Sequence, residues 1–257
     1  MAVSIDDIKK LRETTGVSMM SCKKALEEAN GDFEAAIDVL RTKGEAKAAD
    51  RVGRATAQGV VAVSVGVDKV AMIQLESETD FVSRGEDFVK MAEGLAQKVL
   101  NGNMNVIDRE SPEIKDYMLK VGENIQIGNI ALVEGKNIGI YIHSNRKIGV
   151  IVSLEGGTVE LAKDIAMHAA ATNPKVLSPD EVSQELVDRE KGIWSEQLKN
   201  EGKPAEIVEK IMMGKEKKFR EENALVKQMF VKNPEQSIEQ LLTAASAKVK
   251  EFVRFEI

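Results

Sequence analysis

Two histidines, His143 and His168, and one cysteine, Cys22, are the chain's whole stock of imidazole and thiol. That is too little for an internal disulfide framework, a Cys-based zinc site or a histidine-rich metal centre. The histidines lack His-Glu-x-x-His spacing. No Gly-x-x-x-x-Gly-Lys-Ser/Thr phosphate loop occurs, no Gly-x-Gly-x-x-Gly follows a strand, and no Gly-x-Ser-x-Gly elbow is present. Carboxylates are plentiful, yet nothing in their spacing singles out a pair for acid–base work. No reaction centre and no cofactor are expected, and such a chain acts by binding. The segment that stands out is Glu76-Ser77-Glu78-Thr79-Asp80-Phe81-Val82-Ser83-Arg84-Gly85. Its apolar pair Phe81-Val82 sits among acids, hydroxyls and one arginine. Displayed at a loop tip, Phe81 would suit a partner's pocket; folded inward, it would be ordinary core.

Composition narrows the class. The chain has 257 residues, 43% apolar, with 36 basic against 42 acidic side chains and a net charge of −6. A chain of this length buries roughly 70–75% of its unfolded surface, so real cores are expected. The acidic balance argues against a general nucleic-acid coat and in favour of a protein partner. No apolar run approaches the length of a membrane span. The N-terminus lacks a basic stretch followed by an apolar one, so no secretory signal is read and a soluble, cytoplasmic setting is expected.

The elements that must carry the Phe81 segment follow from periodicity and caps. Residues 4 to 43 read as three short helices. Ser4 caps the first, with Asp7 as a capping-box-like partner and Ile5, Ile8 and Leu11 on its apolar face. Thr15-Gly16 breaks it, and Ser18 or Ser21 starts the second. Asn30-Gly31 ends that helix, Asp32 caps the third, and Thr42-Lys43-Gly44 is expected to stop it. This bundle, residues 1–44, has a tiny core and should lean on a partner. Residues 45–58 are Ala-rich and charged, punctuated by Gly53, and read as a solvated helical linker.

Two similar stretches follow. In the first, strands at Val60–Val65 and Val70–Leu75 flank the turn Gly66–Lys69, and a helix runs through Phe88, Met91, Ala92, Leu95 and Val99. In the second, strands at Ile138–Ile142 and Ile148–Leu154 flank Ser144–Lys147, and a helix runs through Leu161, Ile165, Met167, His168 and Ala169. Aligning Lys69 with Lys147 lays Val70, Met72 and Ile73 on Ile148, Val150 and Ile151. This predicts a duplicated α+β core with antiparallel sheets, its halves at 59–137 and at 138–179 plus 223–257. The halves differ after the second strand, where the first has the Phe81 segment and the second only Glu155-Gly156-Gly157. In the stretch inserted within the second half, 21 of the 43 residues from 180 to 222 are charged. Val182, Leu186, Ile193 and Trp194 form one stripe, and Val208, Met212, Lys215 and Phe219 a second. Gly202-Lys203-Pro204 between them predicts an antiparallel helical hairpin. It either pairs with a second copy of the chain as a homodimer or projects as a solvated protrusion. Met229-Phe230-Val231, Leu241-Leu242 and Phe252–Phe255 read as core returning to the second half.

Thr79-Asp80-Phe81-Val82, preceded by Glu78 and followed by Ser83-Arg84, resembles a signature of the translation elongation factor Ts family. So does Leu11–Leu26 near the N-terminus. Ile148-Gly149-Val150, Met167-His168-Ala169-Ala170 with Asn173-Pro174, and Arg254-Phe255-Glu256 are similar too, so the resemblance covers essentially the whole chain. Ser18 and Ser21 stand where the family often has Gly and Asp, and Ser77 where Cys is common. Longer members carry a further C-terminal helix that touches the partner, so its contacts are not expected from a sequence ending at Ile257.

The resemblance implies a guanine nucleotide exchange factor, not an enzyme, whose partner is elongation factor Tu in its GDP-bound and nucleotide-free forms. No direct nucleic-acid or membrane partner is implied. It implies that the N-terminal bundle is ubiquitin-associated-like and docks on the partner's GTPase domain, with Arg12, Met19, Met20 and Lys23 at contact positions. Met19 and Met20 are adjacent, so both cannot face the bundle core. It implies that the Thr79–Val82 segment disturbs the partner's magnesium site, Phe81 wedging between partner helices and Asp80 making polar contacts beside it. Ile148, Gly149 and His168 fall at positions that contact the partner's other domains; read from the residue alone, His168 is a satisfied core or surface histidine. Two other functions compete. An adaptor binding a ubiquitin-like fold would use only residues 1–44, and a small-molecule enzyme would need a deep pocket with convergent carboxylates or His143.

Overall fold

The computed structural model describes residues 3–49, 54–102, 111–201 and 204–257. It is a mixture of helices and antiparallel sheet, an α+β arrangement, and it divides into two compact units. The first holds Met1–Val65, Ala71–Leu132 and Glu256–Ile257; the second holds Gly66–Val70 and Val133–Phe255.

The first unit begins with α1 (Ile5–Thr15), α2 (Met19–Glu28) and α3 (Phe33–Ala49). The Ser4 hydroxyl accepts the Asp7 N–H at 3.0 Å and donates to the Asp7 carboxylate. Gly16 ends α1 in the left-handed region at φ 69°. Ser18 caps α2, Asn30 and Gly31 both turn left-handed after it, and the Asp32 carboxylate accepts the Ala35 N–H. Leu11, Cys22, Leu26, Ala36 and Leu40 form the bundle core, and Leu119 from α6 (Pro112–Val121) packs against it. The bundle therefore leans on its own chain. The expected stop at Thr42-Lys43-Gly44 is wrong, because α3 runs on to Ala49. A β-carbon at Gly44 would lie 2.8 Å from Leu119, so that glycine permits close helix packing rather than ending a helix. The first part of the expected 45–58 linker is thus helical; Gly53 lies outside the described residues.

In the same unit β1 (Gln58–Val65), β2 (Lys69–Ser77) and β3 (Ile125–Glu134) form a sheet in that order. The link between β1 and β2 is too short for a crossover, which makes them an antiparallel hairpin. Ala71, Ile73 and Leu75 of β2 join Phe88, Ala92, Leu95 and Val99 of α5 (Glu86–Leu100) in one apolar core. Helix α6 and strand β3 escaped the sequence reading. Yet α6 carries full punctuation: Ser111 caps it, Pro112 opens it, and Gly122 ends it at φ 81°.

In the second unit β4 (Asn137–Ile142), β5 (Ile148–Glu155) and β8 (Lys248–Glu256) form the sheet, with Asn137 opposite Leu154 and Ile142 opposite Gly149. Val150, Val152 and Leu154 meet Ile165, Ala166 and Ala169 of α7 (Val159–Thr172). The helix-facing sets are thus Ala71, Ile73, Leu75 and Val150, Val152, Leu154. The Lys69–Lys147 alignment is one residue out, since it lays Met72 rather than Ala71 on Val150. A slip of one residue exchanges the faces of a strand. Met72 and Ile151, on the opposite faces, are fully buried as well, so burial on both faces left the register open there.

Helices α8 (Gln184–Asn200) and α9 (Ala205–Asn223) pack side by side in opposite chain directions. Gln184 meets Arg220 near one end and Gln197 meets Lys215 toward the other. Trp194 meets the Phe219 ring edge-on at 5.8 Å, and Lys215 lies over the indole. Val182 is buried as expected, but Leu186 and Ile193 are 46% and 45% exposed, while Val187 and Leu198 are the buried positions of α8. The inward stripe is rotated by one residue from the one read in the sequence. Pro204 immediately precedes α9; Gly202 and Lys203 lie outside the described residues. The short strands β6 (Met229–Phe230) and β7 (Asn233–Ser237) pair antiparallel, followed by α10 (Ile238–Ala244). Phe230 and Leu242 are core as expected, but Met229 and Val231, on either side of Phe230, are about half exposed.

In the second unit a β-carbon at Gly139 would stand 2.0 Å from the Lys163 nitrogen. Gly139→Ala is expected to cost about 3 kcal/mol or more, because backbone atoms of α7 must move. Gly192, inside α8 with nothing near its missing side chain, gives the opposite sign: Gly192→Ala should stabilise by about 0.5–1 kcal/mol. Urea-unfolding midpoints of the two variants check both; equal midpoints would contradict this account of the strand–helix contact.

Candidate functional site

After β2 the chain makes a single helical turn, α4 (Asp80–Ser83), before α5. The Ser77 hydroxyl, fully buried, donates to the Thr79 carbonyl at 3.0 Å. Thr79 is extended, at φ −121° and ψ 157°, and its carbonyl accepts the Ser83 N–H. The Ser83 hydroxyl donates to the Asp80 carbonyl, and Gly85 N–H donates to the Val82 carbonyl. On so tight a turn successive side chains diverge. Val82 packs on the first unit's core, and Phe81 is 88% exposed. The apolar pair is therefore split, one residue anchoring the turn and the other presented to solvent. Beside Phe81 the Asp80 carboxylate pairs with Arg84 at 3.0 Å, an exposed ion pair of little energetic weight.

Thr79 does not cap α4 with its own side chain. Its hydroxyl donates instead to Glu123 Oε1 at 2.5 Å, and its N–H to Glu123 Oε2 at 3.0 Å. In return the Glu78 carboxylate accepts the Asn124 N–H at 2.7 Å and faces the Arg54 guanidinium at 3.4 Å. The buried Asn124 amide donates to the Arg54 carbonyl. Two adjacent pairs, Glu78-Thr79 and Glu123-Asn124, thus exchange carboxylate-to-backbone hydrogen bonds. Glu123 and Asn124 went unnoticed in the sequence. The one local signal is that they follow Gly122, the end of a well-capped helix.

The other expected contact residues divide by burial. Arg12, on the last turn of α1, is exposed. Met19 packs on the bundle core, whereas Met20 is 62% exposed. Lys23 is exposed and pairs loosely with Glu27 at 3.7 Å. In the second unit Ile148 is half-buried and Gly149 buried, both at the start of β5. His143 is exposed and bonded through Nδ1 to the Tyr141 hydroxyl. A cleft of about 720 Å³ in the first unit is lined by residues including Val17, Leu40, Asp87, Tyr117 and Lys120. Its Asp87–Lys120 contact, at 2.7 Å, holds the Asp87 carboxyl below its usual range and the Lys120 ammonium above its own. Among the described residues no three His, Cys, Asp or Glu side chains are gathered to hold a metal ion, and no helix is long and apolar enough to cross a membrane.

His168 is fully buried in α7. Its Nδ1 accepts the Val231 N–H at 3.3 Å, so in the neutral ring the proton sits on Nε2, which donates to Gln228 Oε1 at 3.0 Å. The Thr172 hydroxyl donates to the same oxygen at 2.7 Å. The ring lies 6.1 Å from that of Phe230. Burial holds the imidazole below its ordinary value, offset in part by the Gln228 bond. As folded, His168 is a satisfied core histidine that does not reach the surface.

Comparison with known proteins adds an independent finding. The model of the family described as Elongation factor TS matches residues 78–257. The protein named Elongation factor Ts from Thioalkalivibrio sulfidiphilus is 45% identical, across all of this chain and 92% of its own length. The one from Pseudoalteromonas atlantica is 44% identical with the same coverage. The one from a Hydrogenobaculum species is 42% identical, across all of this chain and 99% of its own.

The His168 geometry fixes the sign of a pH dependence. The unfolded chain takes up the proton near the ordinary imidazole pKa of 6.5, while the folded chain resists it. Below that value the unfolded state binds more protons, so stability falls as pH falls through 6.5 and is fully present above it. Urea midpoints measured from pH 7.5 to 5 should decline less in His168→Gln than in the unaltered chain. Identical slopes would contradict the buried, neutral imidazole.

Proposed function

This chain belongs to the elongation factor Ts family, so it is a translation elongation factor, and from that premise we propose that it promotes GDP release from elongation factor Tu. The observation that carries the proposal is Phe81, an almost fully exposed aromatic ring on a pinned helical turn. An aromatic side chain held in water and fixed in direction is ready to enter a pocket, since the ordering cost of binding has already been met. In this reading Phe81 wedges beside the nucleotide of the partner, Val82 anchors the turn, Thr79 fixes its start, and Asp80 offers polar contacts.

Magnesium on the nucleotide demands near-octahedral geometry, so a small displacement of its ligands weakens it sharply. GDP held by magnesium and backbone donors then loses affinity. Burying one Phe is worth about 1.5–3 kcal/mol, or roughly one to two decades in an equilibrium constant. Phe81 alone therefore cannot displace a tightly held nucleotide, and the remaining energy comes from a wider surface. We assign to that surface the N-terminal bundle, read as a ubiquitin-associated-like module that presents Arg12, Met20 and Lys23, with Met19 supporting them from the core. To the second unit we assign a separate contact at Ile148, at the start of β5, with the buried Gly149 supporting it. His168, being buried, acts as a positioning residue for the Phe230–Val231 backbone at the end of β6. Coupling is reciprocal: a protein that weakens GDP binding is itself weakened by nucleotide to the same extent, so entering GTP ejects it.

The test is the release of a fluorescent GDP analogue from elongation factor Tu. The intact protein should accelerate release strongly, and Phe81→Ala should lower that acceleration by about one to two decades while complex formation persists. Acceleration untouched by Phe81→Ala would remove the wedge and leave exchange to the rest of the surface. No acceleration by the intact protein would refute the exchange reading altogether.

A further inference from the structure

We propose that Glu123 is a positioning residue for exchange: its carboxylate, 43 residues further along the chain than Asp80, sets the direction in which Phe81 is presented. The inference rests on the exchange reading above and deepens it. Turn α4 spans only Asp80–Ser83 and cannot hold itself, since an isolated helical turn is unstable in water. Its cap, Thr79, has given its hydroxyl away, to Glu123 rather than to the turn. Both donors of Thr79 end on one carboxylate, Oγ1 at 2.5 Å and N at 3.0 Å, which fixes the residue in two places at once. Charge-assisted pairs of this kind are short, directional and about twice as strong as neutral ones.

Below the turn, Val82 is gripped by the core. Above it, Phe81 touches too little to orient itself, at 88% exposure. Ser77 ties the Thr79 carbonyl from within the core, so what is left to fix at the start of α4 is the Thr79 N–H and hydroxyl, and Glu123 holds both. The return bond, from Asn124 N–H to Glu78 at 2.7 Å, locks the carboxylate's own backbone to the residue preceding Thr79. Without Glu123 the turn keeps its anchor and its ring but loses its aim.

The experiment compares Glu123→Ala, Glu123→Gln, Phe81→Ala and the double variant Phe81→Ala/Glu123→Ala in the intact protein, each first checked for an unchanged urea midpoint of the core. Release of the fluorescent GDP analogue from elongation factor Tu is titrated, giving a maximal rate and a half-saturating concentration. Amide exchange at Thr79 is followed in the free protein. We expect Glu123→Ala to lower the maximal rate about five- to tenfold with the half-saturating concentration little changed, and to speed Thr79 amide exchange by a similar factor. Glu123→Gln, which keeps one carbonyl acceptor, should recover part of the rate. In the double variant the loss should match that of Phe81→Ala alone, because Glu123 acts through that ring. If Phe81→Ala lowers the rate and Glu123→Ala does not, or if their losses multiply, the positioning role is overturned while the exchange reading stands. If a loss in Glu123→Ala appears only as a raised half-saturating concentration, Glu123 is ordinary binding surface and the proposal is overturned. If Phe81→Ala matches the intact protein, the wedge itself fails and this inference falls with it.

Discussion

Holding a phenylalanine in water is the physical demand around which the first unit is arranged. A ring that is 88% exposed gains about 1.5–3 kcal/mol by folding back onto apolar surface, and the core formed by Phe88, Leu95 and Val99 lies directly beneath the turn that carries Val82. Three features oppose that collapse. Val82 already occupies the place Phe81 would take. The Ser77 and Ser83 hydroxyls tie the turn's carbonyls. The crossed bonds between Glu78-Thr79 and Glu123-Asn124 fix its start, each hydrogen bond to a carboxylate being worth about 1.5–3 kcal/mol. The stabilising and opposing terms are of the same size, which is why one carboxylate can matter to the direction of one ring.

How much of this was legible in the sequence depends on how far each cause reaches along the chain. Caps are local, and Ser4, Asp32 and the left-handed pair Asn30-Gly31 stood where the residues placed them. The α+β class and the unusually long β2-to-α5 connection were likewise readable, because strand and helix periods are short. What failed was everything decided by a distant neighbour. Gly44 looks like a stop until Leu119 is brought beside it. Met72 on the second face of β2 is as buried as Ile73 on the first, so its alignment with β5 was misjudged by one residue. The α8 stripe was rotated because Val187 and Leu198, rather than Leu186 and Ile193, are the buried positions. Glu123 had no signal of its own, since the residue it serves lies 44 positions away.

His168 marks the difference between a motif and a contact. Its place in a family signature suggested a surface role, yet all its ring nitrogens are spent inside the second unit, on Val231 and Gln228. A second proton on Nδ1 would face the Val231 N–H, donor against donor. Its task is thus to hold the Phe230–Val231 backbone where β6 ends, through the Val231 N–H. Burial, read with hydrogen-bond polarity, converts a recognised residue into a specific physical task.

The chain's one tryptophan sits on α8, packed against Phe219 and under Lys215. Tryptophan emission from this molecule therefore reports the melting of the α8–α9 pair. Whether that pair unfolds in step with the sheets becomes an optical question: coincident emission and far-ultraviolet dichroism curves mean a single cooperative unit, and an early emission change means the paired helices open on their own.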